Sequence, residues 1–249
     1  MRLKLISCEI LYREICAVVA RSRNQVDLEF LPKALHDMGG TGMRDGLQTA
    51  LDRVDESAYD RVLFGYALCG NGLAGLRARS LPLVIPRAHD CITLFLGSAA
   101  RYLEYFNDHP GVYFKTTGWI ERGQGIRPLD QMSLFGKSGA ALSFDELVAR
   151  YGEDNARFLF EELGNYTRHY SQLTFIETGV EPDDTFERHT REEALRQGWK
   201  YEKVRGDLSL MQRLVDGDWN DADFLTVPPR WRVVATYDGG IIAAEEPAP

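Results

Sequence analysis

Apolar and polar positions alternate between two periods along the first third of the chain. Leu3-Lys4-Leu5-Ile6 reads as a short strand. From Leu11 to Arg21 the apolar residues Leu11, Ile15, Val18 and Val19 fall on one face, the spacing of an amphipathic helix. Val26 to Leu31 is a second strand, stopped by Pro32, and a helix is expected near Arg44 to Val54. Arg61 to Tyr66 is a third strand, and its run Val62-Leu63-Phe64 suits burial on both faces, as in a central parallel strand. Leu83-Val84-Ile85, between Pro82 and Pro86, is a fourth. A long apolar helix over Ile92 to Phe106 and a fifth strand over Gly111 to Thr116 follow.

Glu121 to Gly139 carries turn residues and weak periodicity, and reads as a long loop. Ser143 and Glu146 form a capping box, from which a helical pattern runs with one interruption to about Gln172. Alternation then resumes. Strands are expected at Leu173 to Glu177, Lys200 to Val204, Phe224 to Val227 and Arg232 to Thr236. Helices are expected at Thr190 to Gln197, stopped by Gly198, and at Leu208 to Val215, capped by Asp207. The tail from Glu245 to Pro249 should fray. Strands alternating with helices imply an α/β fold, with mostly parallel sheets flanked by helices. The expected arrangement is two Rossmann-like lobes: residues 1–125 carry the first, 126–172 a loop and helical connector, and 173–249 the second.

Composition narrows the function classes. The 249 residues are 44% hydrophobic and 27% charged, ordinary for a globular protein. A net charge of −8 argues against nucleic acid as a partner, because phosphate backbones call for a basic face. No apolar run approaches a membrane span, and MRLKLISCEIL lacks the apolar stretch and cleavage site of a signal peptide. A cytoplasmic location is expected. In such a reducing compartment four cysteines point to metal or redox chemistry rather than to disulfides.

Ligands in parallel α/β sheets bind at the carboxyl ends of the strands. Cys8 ends the first strand there, Cys69 follows the third, and His89 and Cys91 follow the fourth. Thiolate and imidazole together suit soft or borderline metals, and three Cys with one His is a known zinc set. Cys8, Cys69, His89 and Cys91 are therefore the expected ligands, with zinc as first choice and an iron–sulfur cluster or corrinoid as alternatives. Cys16 lies inside the first helix and is expected in the core. Around the ligands, Asp90 can cap the following helix, and Arg87 can offset thiolate charge or hold an anionic substrate. His36 is a candidate second partner or substrate contact, and Thr117, in Thr116-Thr117-Gly118-Trp119, a candidate pocket wall. Gly39-Gly40-Thr41-Gly42 has the look of a phosphate cradle but lacks the GxxxxGK[ST] pattern, and neither GxSxG nor HExxH occurs.

The string GYALCGNGLAGLRARSLPLVIPRAHDCITLFLGSAARY, followed by GVYFKTTGWIER, resembles the bacterial and archaeal family called domain of unknown function 1638. TFIETG, GWKYEKVRGDLSLM and FLTVPP fit the same family. The resemblance brings no established activity, but it implies a link with corrinoid-dependent methyl metabolism. His89-Asp90-Cys91 is also similar to the zinc pair of methyltransferases that activate a thiol for methyl transfer from a corrinoid. In those enzymes the remaining cysteine lies downstream, whereas here Cys8 and Cys69 lie upstream. Three functions follow as expectations. One is an enzyme that activates a thiol or one-carbon substrate on a thiolate-bound metal. The second is an accessory carrier of a metal, an iron–sulfur cluster or a corrinoid, partnered with a corrinoid or methyltransferase protein. The third is a small-molecule-binding protein whose cysteines are structural.

Overall fold

A computed structural model of the chain describes residues 1–122 and 170–246, with isolated positions 148, 152 and 153 between them. The helix expected after Ser143, almost all of the loop over 121–139 and nearly all of the 126–172 connector lie outside the described residues.

The fold is α/β, with two mainly parallel sheets. The first has five strands in the order β2-β1-β3-β4-β8. Its strands are β1 (Arg2–Cys8), β2 (Gln25–Leu31), β3 (Arg61–Gly65), β4 (Leu83–Pro86) and β8 (Phe224–Val227). The first four run parallel and β8 is antiparallel to β4. The second sheet is wholly parallel, in the order β5 (Val112–Lys115), β6 (Gln172–Glu177), β7 (Lys200–Arg205). An antiparallel pair, β9 (Arg232–Ala235) and β10 (Ile242–Glu245), completes the described strands.

Burial explains the strand choices. Every residue of β4, and four of the five in β3, are buried, as continuous apolar runs in a covered parallel sheet require. The outer strand β7 carries no fully buried residue. Sheets and sequence segments do not coincide. β5, expected with the first lobe, pairs in the second sheet, while β8, expected with the second lobe, closes the edge of the first.

Two helical expectations change in detail. The apolar stretch after β4 forms two helices, α4 (Cys91–Leu96) and α5 (Ala99–Asp108). Gly97 separates them in the left-handed region, at φ 84°, and Ser98 caps the second by accepting the Arg101 N–H. A Cβ on Gly97 would meet the Asp207 side chain, so glycine also admits the chain that bonds back through Asp207 N–H to the Phe95 carbonyl. The glycines at 39–42 form no loop. They begin α3 (Gly39–Asp52), where a Cβ on Gly40 would lie 2.9 Å from the Gly70 carbonyl oxygen. The remaining α-helices among the described residues are α1 (Tyr12–Val19), α2 (Ala34–Asp37), α6 (Thr117–Glu121), α7 (Thr185–Gln197) and α8 (Ser209–Asp216).

Candidate thiol site

Strand order opens a crevice at one place in the first sheet. The chain leaves β1 toward β2 on one side and later returns to β3 on the other. Connections from β1 and β3 therefore diverge at their carboxyl ends, the usual ligand position in such sheets. Cys8 is the last residue of β1, and Cys69 follows the end of β3. Beyond the strands proper, Leu68 and Cys69 donate N–H bonds of 2.9 Å to the carbonyls of Ala88 and His89. This continuation sets Cys69 beside the start of α4, whose first residue is Cys91.

The local backbone is unusual. Cys69, Gly70 and Asn71 all have positive φ, at 43°, 63° and 69°. A cysteine in the left-handed region is uncommon and strained, and such strain is concentrated at sites where geometry serves function. Gly72 follows because a Cβ there would overlap the Met43 side chain of α3. Asp90 caps α4, accepting the N–H of Ile92 at 3.0 Å and of Thr93 at 3.4 Å.

Cys8, Cys69 and Cys91 line one cavity of about 20 Å³. One water molecule requires roughly 10–15 Å³. The cavity thus admits a water or a single ion, not a large ligand. Its walls include His36, Lys33, Tyr66 and Trp119. Lys33 lies over the Trp119 ring at 5.1 Å, and His36 meets the same ring edge-on at 6.1 Å. Hydrogen-bond donors face the sulfurs: Ile10 N–H toward Cys8, Ala67 and Cys91 N–H toward Cys69, and the Trp119 indole N–H toward Cys91. The buried Tyr66 hydroxyl makes no full hydrogen bond and has the Cys8 thiol as a polar neighbour.

Burial is the largest influence on all three thiols. It pushes Cys8 and Cys69 up to about 12, and Cys91 well above the ordinary thiol range. Proximity of the other sulfurs adds to the rise for Cys69 and Cys91. Without a cation the three are neutral thiols and poor nucleophiles. Among the described residues, no group of three or more His, Cys, Asp or Glu side chains stands arranged to hold a metal ion. The three sulfurs share the cavity without forming a coordination sphere.

The other expected residues distribute around this centre. His89 is exposed and lies outside the cavity lining, with its carbonyl bonded to Cys69 N–H. Arg87 also lies outside, donating to the carbonyls of Asp221, Gly240 and Ile242. Thr117 is buried in α6, its hydroxyl without a partner, while its neighbour Trp119 forms the wall. Cys16 lies on α1, away from the cavity lining. Lys33 was not an expected site residue. Its signal is position, directly after Pro32 at the end of β2, beside the end of β1.

No helix among the described residues is long and apolar enough to cross a membrane. Comparison with curated proteins and with solved structures finds no match. A family model described as protein of unknown function (DUF1638) matches residues 30–215, and the chain belongs to that family.

Proposed function

We propose that the chain binds a single soft metal ion, zinc by first choice, through the thiolates of Cys8, Cys69 and Cys91. The observation that carries this reading is the convergence of three cysteines from three separate chain segments on one ion-sized cavity. N–H donors facing the sulfurs support it, because they stabilise thiolate once a cation has removed the protons. Three thiolates would leave zinc one open position, and Lys33, His36 and Trp119 line the same cavity. Zinc held this way would lower the pKa of a thiol whose sulfur reached it from outside the ion-sized cavity. The substrate class is a thiol or one-carbon compound, and exchange with a corrinoid protein is what the family resemblance implies.

The test is elemental analysis after anaerobic purification. One zinc per chain is expected in the wild type and in Cys16→Ser, and near none in Cys91→Ser. Hydroxyl is a harder ligand than thiolate and is not deprotonated at neutral pH. Cys91→Ser should still melt cooperatively, because the core is large. Equal metal content in the two variants, or a metal-free wild type, overturns the reading. Iron or cobalt with a visible spectrum in place of zinc would establish the carrier function instead.

A further inference from the structure

The second sheet has its own cleft, at the carboxyl ends of β6 and β7. It has a volume of about 440 Å³ and is lined by Thr178 and Gly179 after β6, and by Arg205, Gly206 and Asp207 at the end of β7. Arg21, just beyond α1, and Arg101 of α5 complete its charged wall. Three arginines thus line one opening in a chain of net charge −8. Among the described residues, none of the three forms an ion pair with a carboxylate, although acidic residues outnumber basic ones 37 to 29. Arg101 is fixed in place: it donates to the carbonyl of Leu96 at 3.2 Å and to that of Arg205. Arg21 and Arg205 are exposed, and their guanidinium groups have no hydrogen-bond partner among the described residues.

We propose that this cleft binds a small organic phosphate monoester. Charge favours an anion: the three arginines outnumber the carboxylates of Asp207, which lines the cleft, and Glu181, which is bonded to the lining amides of Thr178 and Gly179, and a phosphate monoester carries about −1.5 to −2 at neutral pH. Asp207 is itself turned to its own helix, accepting the Ser209 N–H at 2.8 Å. The loop amides are already engaged, since Glu181 accepts from Thr178 N–H and Gly179 N–H, both at 2.7 Å. Recognition therefore falls to the guanidinium groups, whose planar forks suit phosphate oxygens. The volume lies within the usual range for small-molecule pockets, roughly 300–1,000 Å³, and leaves room for an organic part beyond the phosphate. The proposal is independent of the thiol site, because no cysteine lines this cleft.

The test is calorimetric titration of the full chain with glycerol 3-phosphate, inorganic phosphate and succinate at fixed ionic strength. Binding of the phosphate ester is expected, with inorganic phosphate weaker and succinate weaker again. Arg21→Gln and Arg205→Gln, which remove exposed groups without side-chain bonds, should each weaken binding roughly tenfold or more. Melting curves would establish that both variants fold, and their metal content should equal the wild type. Equal affinity for succinate and glycerol 3-phosphate would overturn the phosphate assignment. Absence of binding in the wild type at millimolar ligand, or unchanged affinity in both variants, would overturn the site.

Discussion

Glu14 is 1% exposed on α1, and only one of its carboxylate oxygens has a hydrogen-bond partner. The bonded oxygen lies 2.9 Å from the Thr178 hydroxyl, which also sits 3.0 Å from Glu181. One hydroxyl proton cannot serve two carboxylates, so the arrangement is complete when Glu14 carries a proton. Burial is the main cause that pushes it from an ordinary 4.5 to about 7, with Glu181 adding to the rise and Arg13 opposing it. A carboxyl whose pKa is higher in the folded state contributes stability that is full below about 4.5 and lost as pH rises to about 7. Above that range, ionised Glu14 should cost roughly 3 kcal/mol. Glu14→Gln should therefore raise the melting temperature at pH 8 and leave it nearly unchanged at pH 5, with the wild type losing stability between those values. Equal melting shifts at both pH values would refute the argument. The sequence held a signal for this residue: Glu14 lies three positions after Leu11 and four before Val18, on the apolar face. That Cys8, Cys69 and Cys91 lie near one another was easier to read, because they stand at successive strand ends. His89 and Arg87 were misleading for the opposite reason. Strand-end position is visible in sequence, but the way Arg87 turns depends on Asp221, Gly240 and Ile242, which arrive from far along the chain.

At the scale of elements, α6 is the short piece that brings Trp119 to the thiol cavity. Thr116 caps it, its hydroxyl accepting Trp119 N–H at 3.2 Å. Gly118 then lies so close to the turn after β1 that a Cβ would overlap the Ile10 carbonyl oxygen. That turn also carries the Ile10 N–H facing Cys8, so α6 and the end of β1 are fitted to each other. Gly118→Ala should push α6 away at a cost of about 1–3 kcal/mol, the usual range for overpacking. It should also weaken metal retention, since the Trp119 indole faces Cys91. Denaturant midpoints, with metal content after dialysis against a chelator, check both effects. A change in stability with unchanged metal retention would separate α6 from the site. Element type was legible almost throughout, because period two and period 3.6 are written in each segment. Exceptions arose where distant chain decides. The break at Gly97 accommodates Asp207, and Gly40 begins a helix pressed on the Gly70 carbonyl, rather than a cradle open to phosphate.

At the scale of the whole molecule, which strand joins which sheet was hidden, because pairing is tertiary and each strand reads alike in isolation. Between the two sheets, Asp207 N–H bonds the Phe95 carbonyl at 2.8 Å and Thr178 meets Glu14. The chain's later strands also return to its beginning, with β8 beside β4 and the β9–β10 pair against β8. Arg87 fastens this return. Its N–H donates to the Asp223 carbonyl at 2.8 Å, while its guanidinium holds the carbonyls of Asp221 at 2.8 Å, Gly240 at 2.7 Å, and Ile242. A charged donor bonded to several carbonyls is worth more than a surface ion pair, because removing it strips each acceptor of its partner at once. Arg87→Ala should destabilise the protein by about 2 kcal/mol. Amide exchange should accelerate over residues 221–245 more than over β1 and β3. Zinc per folded chain should stay unchanged, because Arg87 does not line the thiol cavity. The two roles open to this residue thus give opposite results. Loss of metal with wild-type stability would make Arg87 a partner of the thiolates, whereas loss of stability with full metal content makes it the clamp that joins the end of the chain to its first sheet.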